Sequence, residues 1–220
     1  MRVFVVNAYE DRKEKYDEEK YEIFPAIWWE DIVEEQVEEY YFRHNARLEY
    51  RKKVVACSLS HEALLAKIIN EDLKDVFILE DDAIIEKWDR LKELEGCKEF
   101  CYIGGQINAP LMKDFKKFED IKDSVRDNFC KGINVIDPKE FRLAQTCGYF
   151  IPNRRVAQDI LTNIPNGAKE RAIDTEYISL QKKGKITKFI YPAIATLYLP
   201  DASQGFTYST YKLYDDQILY

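Results

Sequence analysis

Residues 76–82, Val-Phe-Ile-Leu-Glu-Asp-Asp, constrain this chain more than any other stretch. Four apolar residues in a row read as a fully buried strand, and the run stops at three consecutive carboxylates. Three negative charges at the mouth of a core strand are costly, because like charges repel and burial strips their hydration. A divalent cation removes that penalty. Hard oxygen ligands suit Mg²⁺ or Mn²⁺, which commonly bridge one or two carboxylates to the phosphates of a substrate. In open α/β sheets ligands bind beyond the carboxyl ends of the strands, where Glu80, Asp81 and Asp82 fall. The plain alternative is a solvated acidic turn.

The flanking pattern supplies the fold class. Residues 2–6 form an apolar strand that stops at Asn7, and Asp11 to Glu22 is a dense charge mix, an exposed loop or helix. Ile23 to Trp29 is apolar and holds Pro25, which suits an edge strand or a loop. From Glu30 to Arg43, Val33, Val37, Tyr40 and Tyr41 recur at helical spacing. Ser58 or Ser60 is expected to cap the next helix, with Glu62 in its first turn and Leu64, Leu65, Ile68 and Ile69 as its core stripe. That helix delivers the chain into strand 76–80.

A second strand, Phe100 to Ile103, is expected to break at Gly104-Gly105, and 108–135 reads as a long loop with a short helix. Thr146 to Ile151 reads as a strand, and Arg154 to Asn163 as a helix with Val156, Ile160 and Leu161 inward. A further helix runs from Asp174 to Lys182. Lys188 to Ile194 and Ala195 to Leu199 supply late strands around Pro192. Helices alternating with strands predict an α/β layer fold. No repeat or Pro/Gly linker divides the chain, so 1–220 reads as a single domain.

Composition narrows the function. The net charge is −7, from 33 basic and 40 acidic side chains, and no basic stripe appears. General nucleic-acid binding through phosphate neutralisation is therefore not expected. No apolar run approaches the roughly 20 residues needed to span a bilayer, so no transmembrane segment is expected. The opening Met-Arg-Val-Phe-Val-Val-Asn is too short an apolar run for a signal peptide, and the expected location is cytoplasmic. Five cysteines are an odd number with no framework spacing. Cys97 and Cys101 are four apart, but no His or Cys pair completes a zinc site, and buried thiols in a reducing compartment are expected.

Three segments, in order, resemble glycosyltransferase family 25, the group of lipooligosaccharide and collagen-type galactosyltransferases. Ala56-Cys57-Ser58-Leu59-Ser60-His61 is similar to that family's Gly-Cys-x-Leu-Ser-His segment. Phe77-Ile78-Leu79-Glu80-Asp81-Asp82-Ala83 resembles its Ile-Leu-Glu-Asp-Asp strand end. Thr146 to Ile151, followed by Ala172-Ile173-Asp174, resembles its Gly-Thr-x-Ala-Tyr strand and later Pro-Val-Asp. Val5-Val6-Asn7 with Arg12 also fits. The resemblance implies a single GT-A-like (Rossmann-like) domain with a mixed, mainly parallel central sheet flanked by helices. It also implies a nucleotide-sugar donor of the UDP-hexose type, a glycan or glycoconjugate acceptor, and Mn²⁺ (or Mg²⁺) held by the acidic motif.

Roles follow from residue chemistry and the resemblance together. Asp82 is the first choice of metal ligand and Glu80 the second, while Asp81 is open to the metal or the donor ribose. Asp201 falls where such enzymes often place a late metal or phosphate contact, and it is equally an acidic turn residue after proline. Asn7 and Arg12 are carried over as donor-binding. His61, read at a helix N-terminus with Ser60, is either a donor-phosphate contact or a hydrogen-bonded core histidine. Gly105 in Gly104-Gly105-Gln106 lets a backbone approach the donor, or serves a tight turn. Trp28-Trp29 either stack a sugar or base, or pack in the core. An inverting transfer needs a carboxylate to deprotonate the acceptor hydroxyl. Asp174 takes that role by resemblance and Glu176 is the fallback, though either can be a first-turn acid. The rival readings are a metal-dependent phosphoryl transferase or nuclease, and a non-catalytic nucleotide-sugar-binding module.

Overall fold

The structure, a computed structural model, describes residues 1–38, 47–85, 88–108, 134–136, 142–164, 173–186, 188–191 and 194–197. Among these, nine strands join one sheet: β1 (Arg2–Asn7), β2 (Glu22–Pro25), β3 (Val76–Glu80), β4 (Ala83–Ile85), β5 (Cys101–Asn108), β6 (Asn134–Ile136), β7 (Arg142–Ile151), β8 (Lys188–Tyr191) and β9 (Ala195–Leu197). The order is β2-β1-β3-β7-β5-β8-β6, with β9 beside β5 and β4 beside β9. The pairings give β1, β2, β3, β5, β8 and β9 one direction and β4, β6 and β7 the other. The sheet is mixed and mainly parallel, as expected.

Among the described residues the helices are α1 (Glu10–Lys13), α2 (Glu34–Glu38), α3 (Leu48–Asn70), α4 (Arg154–Asn163) and α5 (Ile173–Lys182), with 3-10 turns at Trp29–Asp31 and Trp88–Leu94. Side chains alternate across the central strands because the strand period is two. Phe4, Val6, Val76, Ile78, Tyr102 and Tyr149 face α3, α4 and α5. Val3, Val5, Phe77, Leu79, Ile103 and Phe150 face the opposite layer, built from Tyr16, Tyr21, Ile85, Leu91 and Leu94. Helices thus cover one face, and loops, a 3-10 turn and β4 cover the other. β3, apolar on both faces, is buried from Val76 to Leu79.

Four expectations change. The helix read as starting near Ser58 starts at Leu48, so Ser58, Ser60 and His61 lie in its interior. Ser60 needs no capping role, because its hydroxyl donates to the Ala56 carbonyl one turn back, at 2.6 Å. Val55 and Ala56 explain the longer helix, since they pack on Ile32 and Val37 in a small separate cluster. The helix expected over Glu30–Arg43 resolves into the 3-10 turn and α2, and 39–46 lie outside the described residues. β5 does not break at the glycines but runs through them. A Cβ on Gly104 would stand 2.1 Å from the Ala195 carbonyl oxygen, so the glycine lets β9 approach β5. Cys101 is buried as expected, whereas Cys57 is exposed on α3. Most of 108–135 lies outside the described residues, within which 134–136 form β6.

Candidate functional site

The register explains why the site forms where it does. β1 lies between β2 and β3, all parallel, with Val6 opposite Glu80 and Asn7 opposite Pro25. Three chain segments, 8–12, 26–29 and 80–82, therefore leave the sheet at the same carboxyl edge. α3 runs beneath that edge and closes it from one side. Together they enclose a cavity of about 190 Å³ walled by Tyr9, Trp28, Trp29, Lys53, His61 and Glu80, among others. Tyr9 and Trp28 meet edge to face at 5.5 Å, and the Lys53 ammonium lies 5.1 Å from the Trp29 ring centre. Both tryptophans line the cavity, and Trp29 also packs against the small cluster of Ile32 and Val55, the core packing that is one of the two readings.

The three carboxylates diverge. Asp81 turns back to the chain: its Oδ2 accepts from the Ala8 amide at 2.9 Å and its Oδ1 from Arg12 Nη1 at 2.5 Å. Lys15 Nζ donates to the Asp81 carbonyl. Both carboxylate oxygens are thus occupied by protein donors. Burial works against the Arg12 charge, but Asp81 and, behind it, Asp82 together raise its pKa. Burial lowers the pKa of the Lys15 ammonium despite Asp81 and Asp82 nearby.

Glu80 faces the cavity with its Oε1 3.8 Å from His61 Nε2. That spacing would count as an ion pair only for a charged imidazole. Burial pushes the His61 pKa down to about 4, so the ring is neutral at neutral pH and the contact is not an ion pair. His61 is fully buried, and neither ring nitrogen has a hydrogen-bond partner among the described residues. It packs edge-on against Tyr149 at 6.1 Å and Tyr177 at 6.2 Å. Phosphate binding through a helix N-terminus, one of the two sequence readings, is removed by its place inside α3. The hydrogen-bonded core histidine of the other reading is not realised either.

Asp82 is the outlier. Burial first, and then the neighbouring Asp81 charge, raise its pKa above the ordinary carboxylate value. Its Oδ1 is buried and has no hydrogen-bond partner among the described residues. An orphaned buried carboxylate oxygen costs free energy that a bound cation would offset. The donor set, hard oxygens at a strand end, fits Mg²⁺ or Mn²⁺. Among the described residues no group of three or more His, Cys, Asp or Glu is arranged to hold a metal. Asp201 lies outside the described residues.

The remaining expected residues are placed as follows. Asn7 donates from Nδ2 to the Tyr9 carbonyl at 2.9 Å, and its Oδ1 is buried with no partner among the described residues. Ser60 Oγ accepts from the Ile27 amide at 2.8 Å, which ties the cavity's tryptophan loop to α3. Gly105 lies inside β5 opposite Thr146. Asp174 is the second residue of α5, and its side chain lies outside the description. Glu176 is buried on α5, one residue before the Tyr177 that packs on His61.

Sequence reasoning missed Tyr9, Lys15 and Lys53. Lys53, Cys57 and His61 repeat every four residues, the signature of one helix face. A helix started ten residues earlier would have shown it. Lys15 gave no signal within its charge-rich segment.

The family model of glycosyltransferase family 25 (LPS biosynthesis protein) matches residues 4–175, from β1 into the first turn of α5. The chain belongs to glycosyltransferase family 25. A search of curated proteins gives no match to the chain. The matched span holds the cavity, the acidic triplet and Asp174, but neither Glu176 nor Asp201. Membership of family 25 gives glycosyl transfer as the activity, with a sugar donor and an acceptor as partners. No helix among the described residues is long and apolar enough to cross a membrane.

Proposed function

We propose that this family 25 glycosyltransferase moves a hexose from a UDP-type donor to a hydroxyl of a glycan or glycoconjugate, with inversion, in the cytoplasm. It would work as a GT-A-like enzyme with Mn²⁺ or Mg²⁺ held by Asp82 and Glu80, joined by Asp201. The observation that carries this reading is Asp82: a partly buried carboxylate whose Oδ1 is buried and has no partner among the described residues, one residue beyond the two that line an aromatic cavity.

When bound, the cation would neutralise the diphosphate leaving group as the glycosidic bond breaks. The chain's own residues supply the rest. The aromatic walls from Tyr9, Trp28 and Trp29 offer flat apolar surface to a ring of the donor. Asp81, clamped by Arg12 and Ala8, fixes the 8–12 segment beside the triplet and leaves the outward carboxylates to the ligand. Asp174 accepts the acceptor-hydroxyl proton as that oxygen attacks the anomeric carbon, with Glu176 the fallback.

Incubation with a panel of nucleotide sugars, with Mn²⁺ or with excess chelator, tests this. Release of UDP from one UDP-hexose, lost in chelator, is the expected result. Release of inorganic phosphate or cleavage of nucleic acid instead would assign a phosphoryl transferase or nuclease. Binding of a nucleotide sugar with no turnover, with or without glycan acceptors, would leave a binding module.

A further inference from the structure

The pair Cys97 and Cys101 lies outside the site just described. Cys97 Sγ stands 3.5 Å from Cys101 Sγ, with both thiols reduced. The two sulfurs converge on one carbonyl, that of Glu99, at 3.8 Å from Cys97 and 3.4 Å from Cys101. A turn brings them together: Gly96 takes a left-handed φ of +77°, and the Cys97 amide donates to the Leu94 carbonyl at 3.0 Å.

The two thiols differ in access and in anchoring. Cys101 is buried and opens β5, in register with Phe150 of β7 and Lys188 of β8, so sheet hydrogen bonds hold its backbone. Cys97 is partly exposed on the turn before the strand. A disulfide needs its sulfurs at about 2.05 Å. The gap to close is small, and the turn residue is the one able to move.

We propose that Cys97 and Cys101 form a reversible intramolecular disulfide when the protein meets hydrogen peroxide. Peroxide oxidises the accessible Cys97 thiolate to a sulfenic acid, and its second oxygen leaves as water. The Cys101 thiolate then attacks the Cys97 sulfur, the S–S bond forms and hydroxide leaves, taking a proton to become water. Two thiols and one peroxide thus give one disulfide and two waters. The bond would staple the turn to the start of a central strand. Phe150 aligns Cys101 with Phe77, three residues before Glu80, so the staple lies about 10 Å along the strands from the triplet. It is therefore independent of the proposed function.

The test treats the reduced full-length chain with peroxide and follows intact mass and a tryptic map. The expected product is 2 Da lighter, carries a Cys97–Cys101 link, and returns to the starting mass with dithiothreitol. Cys57→Ser should still give it and Cys97→Ser should not. Cys97 packs on the edge of the core and is only partly buried, so its serine variant is the milder of the two; the wild-type map decides the matter even if either serine variant fails to fold. Successive additions of oxygen to Cys97 without the lighter species would overturn the proposal. So would a link mapped to Cys57, Cys130 or Cys147, or stoichiometric zinc that blocks the reaction until a chelator removes it.

Discussion

Arg12 and Asp81 meet at 2.5 Å across 69 positions of sequence, and their side chains are 23% and 10% exposed. The same carboxylate also takes the Ala8 amide. One aspartate thus pins the segment that leaves β1 to the end of β3. Asp81 is the middle member of an acidic triplet, yet its electrostatics are met by the protein, which shifts the metal-binding expectation to its neighbours.

Asp81→Ala should therefore behave as a structural variant. Removing one partner of a largely buried pair leaves the other charge poorly solvated, a loss on the order of 3 kcal/mol. Urea denaturation should show that loss, and Arg12→Ala should show a similar one. The two losses should not add, because both variants break the same contact. Additive losses would mean the pair is not coupled.

Asp82→Asn keeps the size of the side chain and removes its charge. Metal-dependent donor cleavage should collapse while the fold holds or gains stability, because repulsion from Asp81 is relieved. Turnover, metal affinity and melting temperature measured together check this. Wild-type turnover would take Asp82 out of the site.

Asp174→Asn should slow transfer by about 10²–10⁴-fold, the usual worth of a positioned proton acceptor. Donor affinity should barely change, because deprotonation matters only in the transition state. Glu176→Gln is the comparison, read for stability as well, since Glu176 is buried. A loss of turnover in Glu176→Gln alone would move the base two residues along α5. No loss in either would remove the inverting mechanism.

Glu62 supplies a pH prediction. It lies half-buried on α3, and burial raises its pKa above the ordinary 4.5. The folded chain then holds this proton to higher pH than the unfolded chain does. The group costs no stability well below pH 4.5, and its cost grows as pH rises through that value and then levels off. Glu62→Gln should thus raise the melting temperature slightly at pH 7, with the gain fading as pH falls below 4.5. A gain that is the same at every pH would point to packing.

Local pattern alone determined β3 with its acidic end and α4 with its inward Ile160, and it narrowed the Pro25 segment to an edge strand or a loop. In each, the decisive information lies within a dozen residues: an apolar run, a 3.6-residue period, a missing amide. The family motifs at 56–61 and 77–83 are legible for the same reason, and they gave the activity class. Tertiary structure decided what the motif residues do. Ser60 looks like a cap until Ala56 and Ile27 take its hydroxyl. Gly104 looks like the start of a break until β9 is seen to need the space. Asp81 and Asp82 are adjacent acids in sequence. One is met by Arg12 and Ala8, and the other is left with a buried oxygen that has no partner among the described residues. Desolvation and charge pairing depend on which distant segments arrive around a side chain, and parallel strands with long crossovers bring those segments from far away.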